Sequence, residues 1–422
     1  MKKRFTAILA ILLVVSAFAF ANGANETQTA KADGKYSGVT LNYWSMWNSN
    51  EKYGQVIQKA VDAFEAETGA TVNIEWKGRD INKVIQASLE AGDAIDIFDD
   101  DYQRIGKSYA KYTYDLTEMA AADNYAAKSY AGLNNESIKL AGFLNSITEQ
   151  PQVGGIFYNK DIFDACGVTT TPTTWAEFLA VCQKLVDNGY QPMALDSAYA
   201  DFWFGYHLDR RIGSENISKL ALNGGWAKNA GAVAAAQDMI DFINAGYLAD
   251  GAPDEYPSSQ NKIGLTGKVA MVVCANYVKA EVDNVAGEPL NWGLLNYPMI
   301  PVADGGTGVA NAYAGANSFA IASYSKNPQA AYDLIMYIVT GKYDQEMADT
   351  VPQIPADPRN TEPAAELGSQ AALKATVAPL AWNAGLNDNS DLKTAFKSTI
   401  IQLYEGKFAT GADFCKAMDA LY

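Results

Sequence analysis

VTLNYWSMWNSNEKYGQVIQKAVDAFEAETGATVNIEWKGRDINKVIQASLEAGDAIDIFDDD, residues 39–101, carries the fold class in its periodicity. Val39 to Trp44 alternates as a strand. Glu51 to Thr68 follows with Val56, Ile57, Ala60, Val61 and Phe64 at helical spacing, and Gly69 stops it. Thr71 to Trp76 alternates again, and Ile81, Val84, Ile85 and Leu89 mark a second helix closed by Gly92. Ala94 to Phe98 reads as a third strand ending in Asp99-Asp100-Asp101. This order predicts a mainly parallel sheet sandwiched by helices, an α/β fold. Ligands of such sheets sit outside the carboxyl ends of the strands. Two segments fall there, Trp44 to Asn50 and Asp99 to Tyr102.

The pattern recurs further along. Val153 to Tyr158 reads as a strand with paired glycines, and Thr174 opens a helix to Asp187 through a capping box with Glu177. The stripe Phe178, Val181, Cys182 and Leu185 is its expected buried face. Val269 to Cys274 is an apolar run suited to a strand buried on both faces. Asn327-Pro328 opens a late helix carrying Ala331, Leu334, Ile335 and Ile338.

The start sets the compartment. Lys2, Lys3 and Arg4 precede an apolar run from Thr6 to Phe18, and Ala19-Phe20-Ala21 fits a cleavage site. Residues 1–21 therefore read as a secretory signal peptide, the run being shorter than the ~20 residues of a membrane span. Residues 22–35 read as a disordered leader. The mature protein is expected in the periplasm or outside the cell. A formal net charge of −16 repels nucleic acid and anionic headgroups, and no basic stripe offsets it. Four cysteines, Cys166, Cys182, Cys274 and Cys415, are too few to staple 422 residues and read as buried thiols.

Four blocks resemble, in order, the extracellular solute-binding proteins of carbohydrate ABC importers, the group that includes maltose-binding protein. The first is Ala60–Gly69 with Thr71–Trp76 and Ala91–Ile97, where Ile95 stands in place of the usual proline. The second and most specific is Gly155-Ile156-Phe157-Tyr158-Asn159-Lys160-Asp161-Ile162-Phe163, continuing through Gly167-Val168 to Pro172–Phe178. The third is Gly267-Lys268-Val269-Ala270-Met271 with Tyr277, and the fourth is Ser323–Ile338. The resemblance spans about Val39 to Ile354 and weakens toward the tail. It implies a two-lobed periplasmic-binding-protein fold, each lobe a mainly parallel sheet flanked by helices, joined by a crossover hinge. Lobe one would comprise residues 36–148 plus 302–350 and lobe two 151–296 plus 356–422, with hinge segments near 149–153, 297–301 and 351–355. It also implies a receptor that is not an enzyme, needs no cofactor or metal, acts as a monomer, captures a sugar and passes it to the membrane permease subunits of an ABC importer.

A sugar presents C–H faces that pack on aromatic rings and a hydroxyl edge that suits carboxylates and amides. Its site therefore needs aromatic plates beside Asp, Glu, Asn or Gln in a cleft. Trp47 and Trp44 lie just past the first strand with Asn48 and Asn50 beside them, Trp44 being the one that continues the strand. Asp100 and Asp101 are candidates for the hydroxyl edge, with capping of the next helix as the competing use of these carboxylates. From the resemblance come Gln152, eight residues before Lys160 where the family places an acidic contact, with Glu149 nearby. So do Asp201, Phe202 and Trp203 as lobe-two contacts, Tyr277 as an aromatic plate, and Trp382 as a late plate. Asn311 and Tyr313 sit in a glycine-rich loop, Gly305 to Gly315, leading back to lobe one.

Catalysis has little to stand on. The sole histidine is His207, no Gly-x-Ser-x-Gly elbow occurs, and no metal-ligand spacing appears. The glycines at 305, 306 and 308 lack the helix and lysine of a phosphate cradle. Within the same fold, a polyamine, an organic anion or an iron complex is an alternative ligand, and a signalling receptor an alternative role.

Overall fold

A computed structural model describes residues 34–376 and 378–422, with the backbone alone at Glu366. The expected signal peptide and most of the leader lie outside the described residues. The chain opens with β1 (Thr40–Ser45), α1 (Lys52–Thr68), β2 (Thr71–Trp76), α2 (Ile81–Ala91), β3 (Ile97–Asp101) and α3 (Tyr102–Lys107). Tyr53, Val56, Ile57, Ala60, Val61 and Phe64 form the buried face of α1. Gly69 ends that helix at φ 75°, its N–H returned to the Glu65 carbonyl. A side chain there would be strained, since the left-handed region favours glycine.

Later strands are β4 (Ile147–Asn159), β5 (Gln191–Ala194), β6 (Val269–Ala275), β7 (Trp292–Leu295) and β8 (Ala314–Ile321). The strand order is β2-β1-β3-β8-β4-β6-β5, with β7 also on β4. Outer pairs β1–β2, β1–β3 and β5–β6 are parallel, and the pairs that involve β4 and β8 are antiparallel. Strand β4 is the joint. Its first half pairs with β8 up to Val153, and from Gly154 onward it pairs with β6 and β7. Two cores result. One gathers β1, β3, α1 and the helix Pro328–Val339, and the other gathers the second half of β4, β6 and the helices around Ala200–Ile212. Between them, Tyr102, Tyr130, Leu133, Val153, Ala314, Ala316, Ile354 and Leu373 make a small cluster at the crossing.

Several local readings meet the structure directly. Thr174 caps the helix Trp175–Asp187 in a reciprocal capping box, and Pro328 stands in the first turn of its helix. All four cysteines are free and buried. Three readings differ. Strand β3 begins at Ile97 and runs through Asp101, because Asp99, Asp100 and Asp101 pair with Phe319, Ser318 and Asn317 of a strand far away in sequence. Residues 297–301 are not a crossing: Tyr297 and Ile300 are buried in the second core, and the chain re-enters the first lobe only at Tyr313–Ala314. Residues 351–355 touch the crossing through Gln353 and Ile354, but the chain stays with the first lobe through Ala356 and Asp357, which donate their amides to Asp344, and reaches the second core only at Ala364 and Leu367.

Candidate functional site

The site grows from the alternation of the crossing strands. Gln150 faces Asn317, Gln152 faces Gly315 and Val153 faces Ala314 across the β4–β8 ladder. Successive residues point to opposite faces, so Val153, Ala314 and Ala316 enter the apolar cluster while the polar side chains turn the other way. Asn317 Nδ2 donates to Gln150 Oε1 at 2.8 Å, and Gln150 Nε2 donates to Gln353 Oε1 at 3.0 Å. Tyr313 Oη donates to Gln152 Oε1 at 3.2 Å. One face of the crossing is thus a row of amides, Gln353 buried and the others half-buried, closed by a tyrosine hydroxyl.

Beside this row, the loop after β1 delivers Trp47. Its indole N–H donates to Glu149 Oε1 at 2.7 Å, and its ring stacks on Tyr53 at 4.0 Å and 15°. The Arg79 guanidinium lies over Trp47, 4.3 Å from the ring centroid. Glu149 is buried, and its Oε2 has no hydrogen-bond partner among the described residues. Burial and the neighbouring Asp99 hold the Glu149 carboxyl well above its ordinary range. Asp99 accepts from Tyr43, Ser45 and the Met46 amide, and burial pushes it up to about 7.

The second lobe presents aromatic rings. Trp382 stacks on Phe202 at 3.9 Å and 8° and meets Tyr313 edge-on at 5.2 Å and Tyr199 at 5.9 Å. Tyr277 follows the carboxyl end of β6, half-buried, beside Tyr199, whose ring meets Trp382. Tyr199 meets Tyr256 edge-on at 5.8 Å, and the Tyr256 hydroxyl is held by Glu281 at 2.9 Å. Asp101, at the end of β3, stands opposite Asn317 in the β3–β8 ladder, on the side of the sheet that carries the amides.

Asp101, Gln152, Tyr277, Tyr313 and Trp382 therefore come together, and Trp47, Asn48 and Asn50 share the loop on the first-lobe side. Asn48 and Asn50 are exposed, Asn48 donating to Glu51. Asp101 also caps α3 by accepting the Gln103 and Arg104 amides at 3.1 Å, so part of its acceptor capacity is committed.

Five expected contacts are corrected. Trp44 points along the β1–β2 edge, its N–H on Glu75 and Lys77 over its ring. Asp100 is buried and consumed by Arg104 and Tyr109. Trp203 is 0% exposed, with its N–H on Tyr297 and its ring against Phe242 and Tyr404. Successive helical residues sit about 100° apart, so on the helix Ala200–Ile212 it is Phe202 that meets Trp382 while Trp203 enters the core. Asp201 is buried and held by Lys397 at 3.2 Å, and Asn311 is clamped at side chain and carbonyl by buried Arg210. Sequence reasoning missed Tyr53, Arg79, Gln150, Tyr199 and Gln353. Tyr53 could have been found at the start of the α1 stripe, whereas Gln353 joins Gln150 only through tertiary structure.

His207 is buried in the second core, Nε2 on Asp238 at 2.7 Å and Nδ1 on Tyr297 at 3.1 Å, far from any role as an exposed base. Among the described residues no group of three or more His, Cys, Asp or Glu is placed to hold a metal ion, and no helix is long and apolar enough to cross a membrane.

The family described as bacterial extracellular solute-binding protein matches residues 47–343. A galactooligosaccharide-binding protein of Bacillus subtilis (strain 168) is 23% identical over 360 residues, 83% of this chain and 80% of that one. Among solved structures, a chitin oligosaccharide binding protein superposes with a TM-score of 0.70 at 19% identity, covering 90% of this chain and 97% of its own. A solute-binding protein in complex with raffinose gives 0.68 at 17% identity, covering 91% and 98%.

Proposed function

The chain belongs to the bacterial extracellular solute-binding proteins, and from that premise we propose that it captures a sugar, most simply an oligosaccharide, between its lobes and delivers it to the membrane subunits of an ABC importer. The observation that carries this reading is the meeting of rings and hydroxyl-edge partners at the crossing: Trp382, Tyr277 and Tyr313 from the second lobe beside Gln152, Gln150 and Asp101. Rings take the C–H faces of a sugar, and amides with a carboxylate take its vicinal hydroxyls. The relatives named for galactooligosaccharide, chitin oligosaccharide and raffinose favour the same ligand class.

The hinge of this proposal is the set of passages at Val153–Gly154, at Tyr313–Ala314 and beyond residue 357. A ligand that bonds both lobes stabilises the closed arrangement by its differential affinity for it. Secretion through residues 1–21 and action as a monomer complete the reading. An organic anion finds less support, since the crossing face is built of amides, tyrosine hydroxyls and the Asp101 carboxylate. The test is a thermal-shift screen of the mature protein against mono- and oligosaccharides, polyamines, organic anions and ferric citrate. A sugar at a hundred times its Kd adds about 2.7 kcal/mol. Stabilisation by a non-sugar alone would transfer the site to that class.

A further inference from the structure

We propose that one face of Trp47 is a seat for a ligand ring, that Arg79 covers this seat, and that the second carboxyl oxygen of Glu149 takes a hydroxyl from the ring that displaces it. This rests on the sugar reading above and names a device within that site.

Trp47 is a plate with both sides covered, but the two covers differ. Tyr53 is a buried residue of α1 and fixed, stacked at 4.0 Å. Arg79 is a surface residue whose side chain is 51% exposed. Its guanidinium lies 4.3 Å from the Trp47 ring centroid, and Trp47 as a whole is 6% exposed. A guanidinium is planar, delocalised and weakly hydrated, so it stacks on an aromatic face much as the apolar face of a sugar does. It is a movable occupant of a position that suits a ring.

The turn that delivers Arg79 is tightly built. Gly78 holds φ at 65°, and a Cβ there would stand 2.9 Å from Asn48 Oδ1. The loop carrying Trp47 and the turn carrying Arg79 are thereby pressed together. Arg79 donates to the carbonyl of buried Met46 and pairs with Glu51 at 2.9 Å. Leaving the Trp47 face gives up the hydrogen bond to the Met46 carbonyl, while an exposed pair such as that with Glu51 costs little to rearrange.

Glu149 supplies the independent observation. One oxygen accepts the Trp47 N–H at 2.7 Å. The other is buried without a partner among the described residues. Buried polar atoms are rarely left so, and each calls for a reason. A hydroxyl on the edge of a ring seated on Trp47 would arrive beside the indole N–H and its carboxyl, and would satisfy that oxygen.

The experiment uses the mature protein, Arg79→Ala, Lys83→Ala as a charge control from an exposed pair with Asp80, and each of these with Trp47→Phe. Without sugar, acrylamide quenching of Trp47 is read as the difference between each protein and its Trp47→Phe partner. Quenching should rise in Arg79→Ala and stay unchanged in Lys83→Ala. Titration calorimetry then uses whichever of raffinose, chitotriose or maltotriose stabilises the wild type most. Losing an exposed cation–π competitor should tighten binding about two- to fivefold in Arg79→Ala, and Trp47→Phe should weaken it. Unchanged quenching overturns the cover. Greater quenching with weaker sugar binding makes Arg79 a ligand contact and overturns the displacement. If no sugar stabilises the wild type, the sugar reading fails and the seat loses its occupant, while the quenching result still decides whether Arg79 covers Trp47.

Discussion

Replacing Glu149 by Gln should make this protein more stable in mildly alkaline buffer and leave it nearly unchanged in mild acid. Glu149 is buried at the base of the site, with one carboxyl oxygen on the Trp47 N–H and the other unpartnered. Burial first, and then the charge of Asp99, raise its folded pKa well above the ordinary 4.5. A carboxyl raised in this way binds its proton more tightly folded than unfolded. Its contribution is fully present below about pH 4.5 and is lost as pH rises through the folded value. Glutamine keeps an oxygen for the indole and has no proton to lose. An unsatisfied buried charged group costs about 1–3 kcal/mol or more, so Glu149→Gln should gain roughly that amount over wild type at pH 8 relative to pH 5. Asp99, raised to about 7, adds a slope of the same sign to both proteins, and because its charge and that of Glu149 act on each other the difference between the two proteins reads the pair. Urea unfolding at the two pH values, followed by tryptophan fluorescence, measures it. Equal destabilisation at both pH values would refute the reasoning, because it would mean Glu149 is ionised and well paired in the folded state.

Other consequences are equally direct. Gly315→Ala places a Cβ 2.2 Å from the Tyr313 hydroxyl. Tyr313 must leave Gln152, overpacking should cost about 1–3 kcal/mol, and sugar affinity measured by calorimetry should fall at least tenfold. Trp203→Ala opens the second core and should cost about 3–5 kcal/mol in denaturant unfolding, with the folded variant keeping its sugar affinity within about twofold. Trp382→Ala should do the reverse, weakening sugar binding about tenfold with a smaller loss of stability, since Trp382 is partly exposed against Phe202.

The elements with local causes were legible in the sequence. The α1 stripe, the Gly69 stop, the Thr174 capping box and the all-buried β6 follow from spacing and from residues a few positions apart. The aspartates at the end of β3 were less so, because what extends that strand is β8, more than two hundred residues later. The same limit explains the displaced crossings: Tyr297-Pro298 and Ile300-Pro301 look like an extended connection, yet both tyrosine and isoleucine are spent on the second core. At the site, residue type and strand-end position nominated Trp47, the glycine-rich loop nominated Tyr313, and the family resemblance nominated Gln152, Tyr277 and Trp382. They could not tell Phe202 from Trp203 on one helix, nor foresee that Arg104 would claim Asp100 and Arg210 would claim Asn311. Those assignments depend on which face of each element meets a neighbour, and that is a tertiary fact.

The central claim is that a sugar bonded from both lobes draws them together. Small-angle scattering of the mature protein, with and without the sugar that stabilises it most, tests this most directly. The account predicts a smaller radius of gyration at saturation and no such change in Trp382→Ala at the same sugar concentration, short of its own saturation. An unchanged radius in wild type, at a concentration where calorimetry shows the site full, would contradict it.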